Sequence, residues 1–224
     1  VYKRRLGYHV PLYPVFRPTE GHEDRHGHFP DTVEVIWDRE LPELEDFLQS
    51  RPGYFDTVWI ARTHNADRLA PVLVACAQAL AGSRLVVDTE AVAAPRTHMQ
   101  HLLRGENVPD TLADMLAQEF RHLFMAETII AVNEKDAAII RAHGFGNVSV
   151  LGHMQAGGVA SPGWSARRDL LFVGAVHDRH APNLDSLRWF VEPVLPLLDT
   201  RLPPDVRFTI CGYLARRVGL SALA

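Results

Sequence analysis

Eight short apolar stretches recur along the chain, and most of them are rich in β-branched residues and apolar on both faces. A strand that is apolar on both faces is typical of a parallel sheet that helices cover on each side. The pattern therefore predicts an α/β fold. The predicted strands are His9–Val15, Val33–Trp37, Phe55–Ala61, Arg84–Asp88, Thr128–Asn133, Asn147–Leu151, Asp169–Gly174 and Val206–Cys211.

Segments with apolar residues at helical spacing lie between these stretches, and their apolar stripes are expected to face the core. Pro109 is placed to begin one helix, Asn133 to cap the start of another, and Gly144 to end that second helix. The predicted helices span residues 40–50, 65–81, 109–126, 134–143 and 183–199.

A segment without any charged residue, 152–164, separates two parts of the chain. Its glycines and proline are typical of a linker. We therefore expect two Rossmann-like domains, the first over residues 1–160 and the start of the second over 166–224. The second part holds a single βαβ unit, and the first opens with a segment typical of the end of a helix. We expect a fragment that lacks the first strand of one domain and most of the other.

Composition and charge narrow the possible classes of function. The 224 residues carry a net charge of −4, so the chain has no basic field for a nucleic-acid backbone and nucleic acid is not an expected partner. The N-terminus lacks the order of a secretory signal, and no apolar run is long enough to span a membrane. Cys76 and Cys211 show no CxxC spacing, so we expect both to be buried and the protein to be cytoplasmic.

Motifs of several enzyme classes are absent: there is no GxGxxG after a strand, no GxxxxGK[ST] and no GxSxG. Dinucleotide-dependent dehydrogenases, P-loop NTPases and hydrolases with a nucleophile elbow are therefore disfavoured. His22, His26 and His28 lie near two acids and form either a metal-binding loop or a solvated connection. His98 and His101, which would share one helix face, leave the same two interpretations open.

Charged side chains follow two of the predicted strands at the point where each strand ends. Asp88 and Glu90 follow one strand, and Arg62 and His64 follow another. Open α/β sheets bind ligands at the carboxyl ends of their strands, so these side chains are predicted to face one cleft. Two other interpretations remain open, a surface ion-pair cluster and a helix N-cap by Asp88 or Thr89.

The most specific pattern lies between residues 169 and 196, where FVG ends a strand, a short loop and PN follow, and a helix carries WF before a closing VLP. This arrangement resembles the start of the nucleotide-sugar domain in family-four retaining glycosyltransferases, which have the two-domain GT-B fold. Similarity to the acceptor-side domain of that family covers much of the chain from residue 55 onward. The matching positions are Phe55-Asp56-Thr57-Val58, Arg62, Val87-Asp88, Arg96 and Ile130-Ala131-Val132-Asn133-Glu134, with Ile210-Cys211-Gly212 on the donor side.

The resemblance implies transfer of a sugar from a nucleotide-activated donor to an acceptor hydroxyl with retention of configuration. The implied partners are a nucleotide-sugar and a saccharide or lipid-linked acceptor, with membrane contact at most peripheral, at the inner face. The resemblance implies a reaction without a metal or other cofactor, and the absence of an Asp-x-Asp motif agrees with this expectation. The implied site residues are Gly174, Arg179 and Gly212 for the sugar donor and Arg62, Asp88, Glu90 and Arg96 for the acceptor-side cleft.

The chain departs from the family pattern in one important respect. The paired glutamates that hold the donor sugar and ribose in the family would lie downstream of Ala224, so we expect these residues alone to be inactive and leave the catalytic residues unassigned. Arg179 is the only basic side chain, besides histidines, in the loop after FVG. Two alternatives remain, a nucleotide-sugar epimerase of GT-B fold and a non-catalytic nucleotide-sugar binding module.

Overall fold

The chain divides into two compact units, unit 1 (Val1–Met154) and unit 2 (Gln155–Ala224). The division lies inside the predicted linker, 152–164. Both units combine helices with parallel strands, so the predicted α/β class is confirmed. The computed structural model describes residues 7–16, 33–106, 110–153, 163–177 and 181–215.

The first two strands of unit 1, β1 (Val10–Leu12) and β2 (Val33–Val35), pair in parallel as a small sheet. Both are shorter than predicted, because the pairing lasts for three residues on each strand. Helix α1 (Leu44–Gln49) follows and contributes to a small core in which Cys76 is buried, as expected.

The larger sheet of unit 1 has four parallel strands in the order β3-β4-β5-β6. In the third of these strands, the successive residues Ile129, Ile130 and Ala131 are all buried, which agrees with a strand that is apolar on both faces. The register pairs Ala61 with Asp88, so β3 and β4 end at the same edge. The strands are β3 (Thr57–Ala61), β4 (Arg84–Asp88), β5 (Thr128–Ala131) and β6 (Val148–Val150).

The described part of unit 1 contains four further α-helices. The last of them begins and ends where the sequence predicts. The side chain of Asn133 accepts a hydrogen bond from the backbone N–H of Asp136 at 2.8 Å, and Gly144 has a φ of 93° just beyond the helix. The helices are α2 (Thr63–Ala75), α3 (Ala94–Leu103), α4 (Leu112–Phe120) and α5 (Glu134–Ala142).

Two of these helices are shorter than predicted. Helix α2 does not reach residue 81, because the chain turns back after Cys76 so that the N–H of Arg84 can donate to the carbonyl of Asp56 and start β4. Helix α4 begins with a capping box between Thr111 and Asp114 rather than at Pro109, which lies outside the described residues. It ends at residue 120, and a 3-10 turn then buries Leu123 before β5.

The residues of unit 2 that the structure describes contain one parallel strand pair, β7 (Leu170–Val173) and β8 (Phe208–Cys211), joined through a helical segment. The predicted single helix 183–199 is α6 (Pro182–Trp189) and α7 (Leu195–Asp199) with a π-helical turn between them. Pro193 lies in that turn and has no N–H to continue the α-helical ladder, which explains the interruption.

The prediction that both cysteines are buried is wrong for Cys211, which is exposed. It is paired with Val173, so the two side chains lie on the same face of the β7–β8 pair. Val173 and Leu171 are 71% and 65% exposed, so no part of unit 2 that the structure describes covers this face. Across the described ranges, no helix is both long and apolar enough to cross a membrane.

Candidate functional site

The structure brings together three of the four residues predicted for the acceptor side. Arg62 follows the last residue of β3, Asp88 ends β4, and Glu90 lies two residues further on. The Nε of Arg62 donates to Glu90 Oε2 at 2.7 Å, and the backbone N–H of Arg62 donates to the carbonyl of Asp88 at 2.7 Å. We call the side-chain contact the Arg62–Glu90 pair; it lies at the carboxyl edge of the sheet, where open α/β proteins bind ligands.

Both members of this pair have unusual backbone conformations. Arg62 has a φ of 73° and Glu90 a φ of 55°, and they are the only non-glycine residues with positive φ among those described. A side chain in this region costs about 1–3 kcal/mol per residue. An exposed ion pair contributes about 0–1 kcal/mol, and these side chains are 59% and 42% exposed. The pair therefore does not offset its own strain, and the surrounding structure has to hold it.

The β4–α3 loop, residues 89–93, is held mainly by its backbone. Thr89 is buried, and both its N–H and its hydroxyl donate to the carbonyl of Ile130, at 2.9 and 3.0 Å. The N–H of Glu90 donates to Asp88 Oδ1 at 2.9 Å. The N–H of Val92 donates to Asp136 Oδ2 at 3.2 Å. The loop that presents Glu90 is thus fixed from β5 and α5 as well as from its own strand.

Glu119, on α4, makes a second set of contacts to the same region. Its carboxylate accepts from the N–H groups of Ala93 and Ala94, at 2.9 and 2.8 Å, where α3 begins. It also accepts from the hydroxyl of Thr63, at 3.3 Å, in the first turn of α2. Sequence reasoning missed this residue, because its partners are 25 to 56 positions away in the chain and no local pattern indicates them.

These contacts rule out one of the interpretations left open for Asp88 and Thr89. Helix α3 begins at Ala94 with Ala93 as its N-cap, so the N-cap interpretation is wrong. Asp88 instead accepts from the N–H two residues on, as in an Asx turn. The ion-pair interpretation agrees with the exposed Arg62–Glu90 contact, and the role of these residues in a ligand cleft stays a prediction.

His64 also lies at this edge, in the first turn of α2. Burial lowers the pKa of His64, and the positive charges of Arg68 and Arg62 lower it further, while Glu90 and Asp67 oppose the change. The imidazole is therefore mostly uncharged at neutral pH. It is a hydrogen-bonding group beside the pair rather than a further cation.

A separate charged cluster ties α2 to the end of α4. Asp67 Oδ1 contacts His122 Nδ1 at 2.6 Å, and the guanidinium of Arg121 binds both carboxylate oxygens at 3.0 Å. Burial alone would raise the pKa of Asp67, but the hydrogen bonds from His122 and Arg121 outweigh it and lower the pKa. This cluster stabilises the helices that carry Arg62 and Glu119.

Arg96, the fourth predicted acceptor-side residue, is exposed on α3. Within the described ranges, no hydrogen bond or ion pair joins it to the Arg62–Glu90 pair. His98 and His101 lie on the same helix. His101 pairs with Glu106, and the buried Nδ1 of His98 has no hydrogen-bond partner in the described residues.

In unit 2, the glycines predicted for the sugar donor contact each other. Gly212 has a φ of 141°, and a Cβ on it would lie 2.0 Å from the carbonyl oxygen of Gly174. A Cβ on Gly174 would meet Asn183 Nδ2 and the ring of Phe172, each at 2.9 Å. Gly212 therefore needs glycine, because the atoms it would meet are backbone, whereas at Gly174 a Cβ would require the side chains of Asn183 and Phe172 to shift. The role of both glycines toward a nucleotide stays a prediction. Arg179 lies outside the described residues.

No three or more His, Cys, Asp or Glu side chains are grouped to hold a metal ion in the part of the chain that the structure describes. The loop with His22, His26 and His28 lies outside that part. Comparison of the chain with protein-family models, curated proteins and solved structures returns no match.

Proposed function

We propose that this chain is part of a glycosyltransferase of GT-B fold that moves a sugar from a nucleotide-activated donor to an acceptor hydroxyl with retention of configuration. The observation that carries the proposal is the strained Arg62–Glu90 pair at the carboxyl edge of the larger sheet. Strained backbone in a folded protein is concentrated at functional sites, since elsewhere glycine serves the same conformation without cost. In this proposal the edge is the acceptor side.

The chemistry of the edge suits a hydroxyl-bearing ligand. Asp88 Oδ1 accepts a hydrogen bond from the N–H of Glu90, and Glu90 Oε2 accepts one from Nε of Arg62. The second oxygen of each carboxylate accepts no hydrogen bond from any described residue. Carboxylate oxygens held in place in this way are acceptors for sugar hydroxyl groups. The uncharged His64 imidazole beside them adds a further donor or acceptor.

In the proposed reaction, the bond from the sugar C1 to the diphosphate oxygen breaks, and a bond from C1 to the acceptor oxygen forms on the same face. The acceptor proton passes to a base or to the departing phosphate. Positive charge has to stabilise that phosphate, and Arg179 is the one basic side chain, besides histidines, that the sequence offers in the loop after FVG. The close crossing of Gly174 and Gly212 leaves backbone without side chains at the carboxyl end of β7 and β8.

The first experiment tests turnover with the natural gene product that contains this chain. A panel of uridine, guanosine, thymidine and adenosine diphosphate sugars is incubated with saccharide and lipid-linked acceptors, and nucleoside diphosphate release is measured. The expected result is transfer from one donor class, with the donor's anomeric configuration retained in the product by NMR. Epimerisation of a donor without any acceptor would favour the epimerase instead, and no turnover of any donor would overturn the proposal.

A second experiment measures binding with the same gene product. A nucleotide-sugar is expected to shift the NMR amide signals of Gly174 and Gly212 and to leave that of Gly163 unchanged. Gly163 is the control, because it lies in open space in the same unit. If no nucleotide-sugar shifts either signal, the assignment of these glycines to the donor side is wrong.

A further inference from the structure

Two loops meet at the Arg62–Glu90 pair, and one side chain from a third element contacts both. Glu119 binds Ala93 and Ala94 at the end of the β4–α3 loop and Thr63 directly after Arg62. Three described carboxylates accept hydrogen bonds from the backbone of residues 90–94, those of Asp88, Asp136 and Glu119. Among these three, Glu119 is the one that also binds the start of α2.

From this geometry we infer that Glu119 is a positioning residue for the Arg62–Glu90 pair. Its carboxylate fixes the spacing between the starts of α2 and α3, and that spacing determines whether Arg62 Nε and Glu90 Oε2 can meet at 2.7 Å. Arg62 directly precedes Thr63, and Glu90 lies three residues before Ala93 in the same loop. Without the carboxylate, the two loops can relax toward ordinary backbone conformations and separate the pair.

The chemistry of the contact requires a carboxylate. The first N–H groups of a helix have no partner within the helix, and Ala93 and Ala94 are in that position for α3. A negative charge there is also favoured by the helix dipole. A glutamine can present one acceptor oxygen and would direct its NH₂ group at another donor. Three hydrogen bonds to two oxygens therefore cannot be kept after Glu119→Gln.

This inference rests on the proposed function only in treating the pair as part of a ligand site, and its test needs no sugar or nucleotide. The side-chain Nε–H signal of Arg62 in an NMR spectrum reports on its hydrogen bond to Glu90. In E119Q this signal is expected to move toward the position of a free arginine and to exchange with solvent about tenfold faster or more. The Ala93 and Ala94 amides should exchange faster as well.

A matched control removes one negative charge from the same unit. Glu127→Gln is suitable, because Glu127 is exposed and its side chain contacts only Arg84 at 3.8 Å among the described residues. E127Q is expected to leave the Arg62 signal unchanged. If E127Q moves that signal as much as E119Q does, the effect is one of general charge and the inference is overturned.

The Arg62 signal separates positioning from a purely structural role. If Glu119 only caps α3, E119Q will expose the Ala93 and Ala94 amides while the Arg62 signal stays in place, and the inference is overturned. If E119Q fails to fold, Thr63→Val replaces it, since this change removes only the hydroxyl that links Glu119 to α2. T63V is expected to shift the Arg62 signal in the same direction, and an unmoved signal overturns the inference.

Failure of the proposed function and failure of this inference are distinguishable. Absence of sugar transfer with an E119Q-sensitive Arg62 signal leaves positioning intact and removes only the transferase. If sugar transfer is found, and E119Q alters neither the transfer nor the Arg62 signal, the transferase proposal stands and the positioning role of Glu119 is overturned. Where transfer is found, E119Q is expected to raise the KM for the acceptor and to leave the KM for the sugar donor unchanged.

Discussion

Two sheet edges of this protein can be compared: the carboxyl end of the β3–β4 pair in unit 1 and that of the β7–β8 pair in unit 2. They differ in the type of residue that adopts a positive φ there. Each places residues with positive φ directly after a strand. Unit 2 uses Gly212, which adopts this conformation without a side chain and packs against Gly174. Unit 1 uses Arg62 and Glu90, which carry the strain and direct two charged groups to the sheet edge.

The difference indicates what each edge needs. Close backbone contact excludes a Cβ, so only glycine fits at Gly212. At Arg62 and Glu90 glycine would relieve strain, but the charged side chains would be lost. The strain is therefore explained if the side chains are required at that edge, whereas in unit 2 the backbone contact itself is required.

The largest expected effect is at the glycine crossing. Gly212→Ala places a Cβ 2.0 Å from a backbone oxygen that cannot move aside cheaply, at a φ of 141° that side chains rarely adopt. We expect unit 2 to lose about 3 kcal/mol of stability or more, measured by urea unfolding. Gly163→Ala is the control, because no atom lies within 4 Å of its Cβ position. A stability within about 0.5 kcal/mol of wild type for G212A would contradict the packing argument.

The next largest effect is expected at Asp67 and concerns the stability of unit 1 at low pH. The pKa of Asp67 is lower in the folded protein than in the unfolded chain, since hydrogen bonds from His122 and Arg121 outweigh burial. Ionised Asp67 therefore stabilises unit 1 at pH values above the pKa of an aspartate in the unfolded chain, about 4. This stabilisation is lost as the pH falls through the lower pKa of Asp67 in the folded protein.

Asp67→Asn is expected to cost about 2 kcal/mol at pH 7 and to reduce the loss of unit 1 stability between pH 7 and pH 3. Chemical denaturation followed through unit 1 amide signals measures both. The control is Asp205→Asn, an exposed residue of unit 2 without a described partner. Equal acid sensitivity of unit 1 in D67N and wild type would show that this cluster is not the source.

A smaller effect tests the strain directly. Glu90→Ala removes the ion pair and keeps a side chain at a φ of 55°, whereas Glu90→Gly removes both the pair and the strain. E90G is therefore expected to be about 1 kcal/mol more stable than E90A in denaturant unfolding. Equal stabilities would mean that residue 90 is not strained, and the contrast between the two sheet edges would lose its basis.

The smallest effect is on the titration of His64. Burial and the nearby charges of Arg68 and Arg62 lower its pKa, so NMR titration should find it below that of an ordinary histidine. Arg68→Gln removes one of these charges and is expected to raise the pKa slightly toward the ordinary value. No upward change in R68Q would mean that the charge of Arg68 does not contribute to the lowered pKa of His64.

Much of the fold was predictable, because the signals for strands and helix ends are local. The two-sided apolar strands identified the parallel sheets, and Asn133 and Gly144 marked both ends of α5 correctly. Helix lengths were less predictable. The end of α2 depends on where β4 must start, and the break after α6 depends on how the helix accommodates Pro193.

The candidate site was also predictable only in part. The sequence by itself determined that Arg62, Asp88 and Glu90 follow strand ends, since parallel strands bring their carboxyl ends to one edge. Only the tertiary structure decided that Arg62 and Glu90 would adopt positive φ and pair, and that Glu119 would hold both loops. The physical reason is distance along the chain: these contacts join residues 25 to 56 positions apart, and such contacts form only when the helices pack.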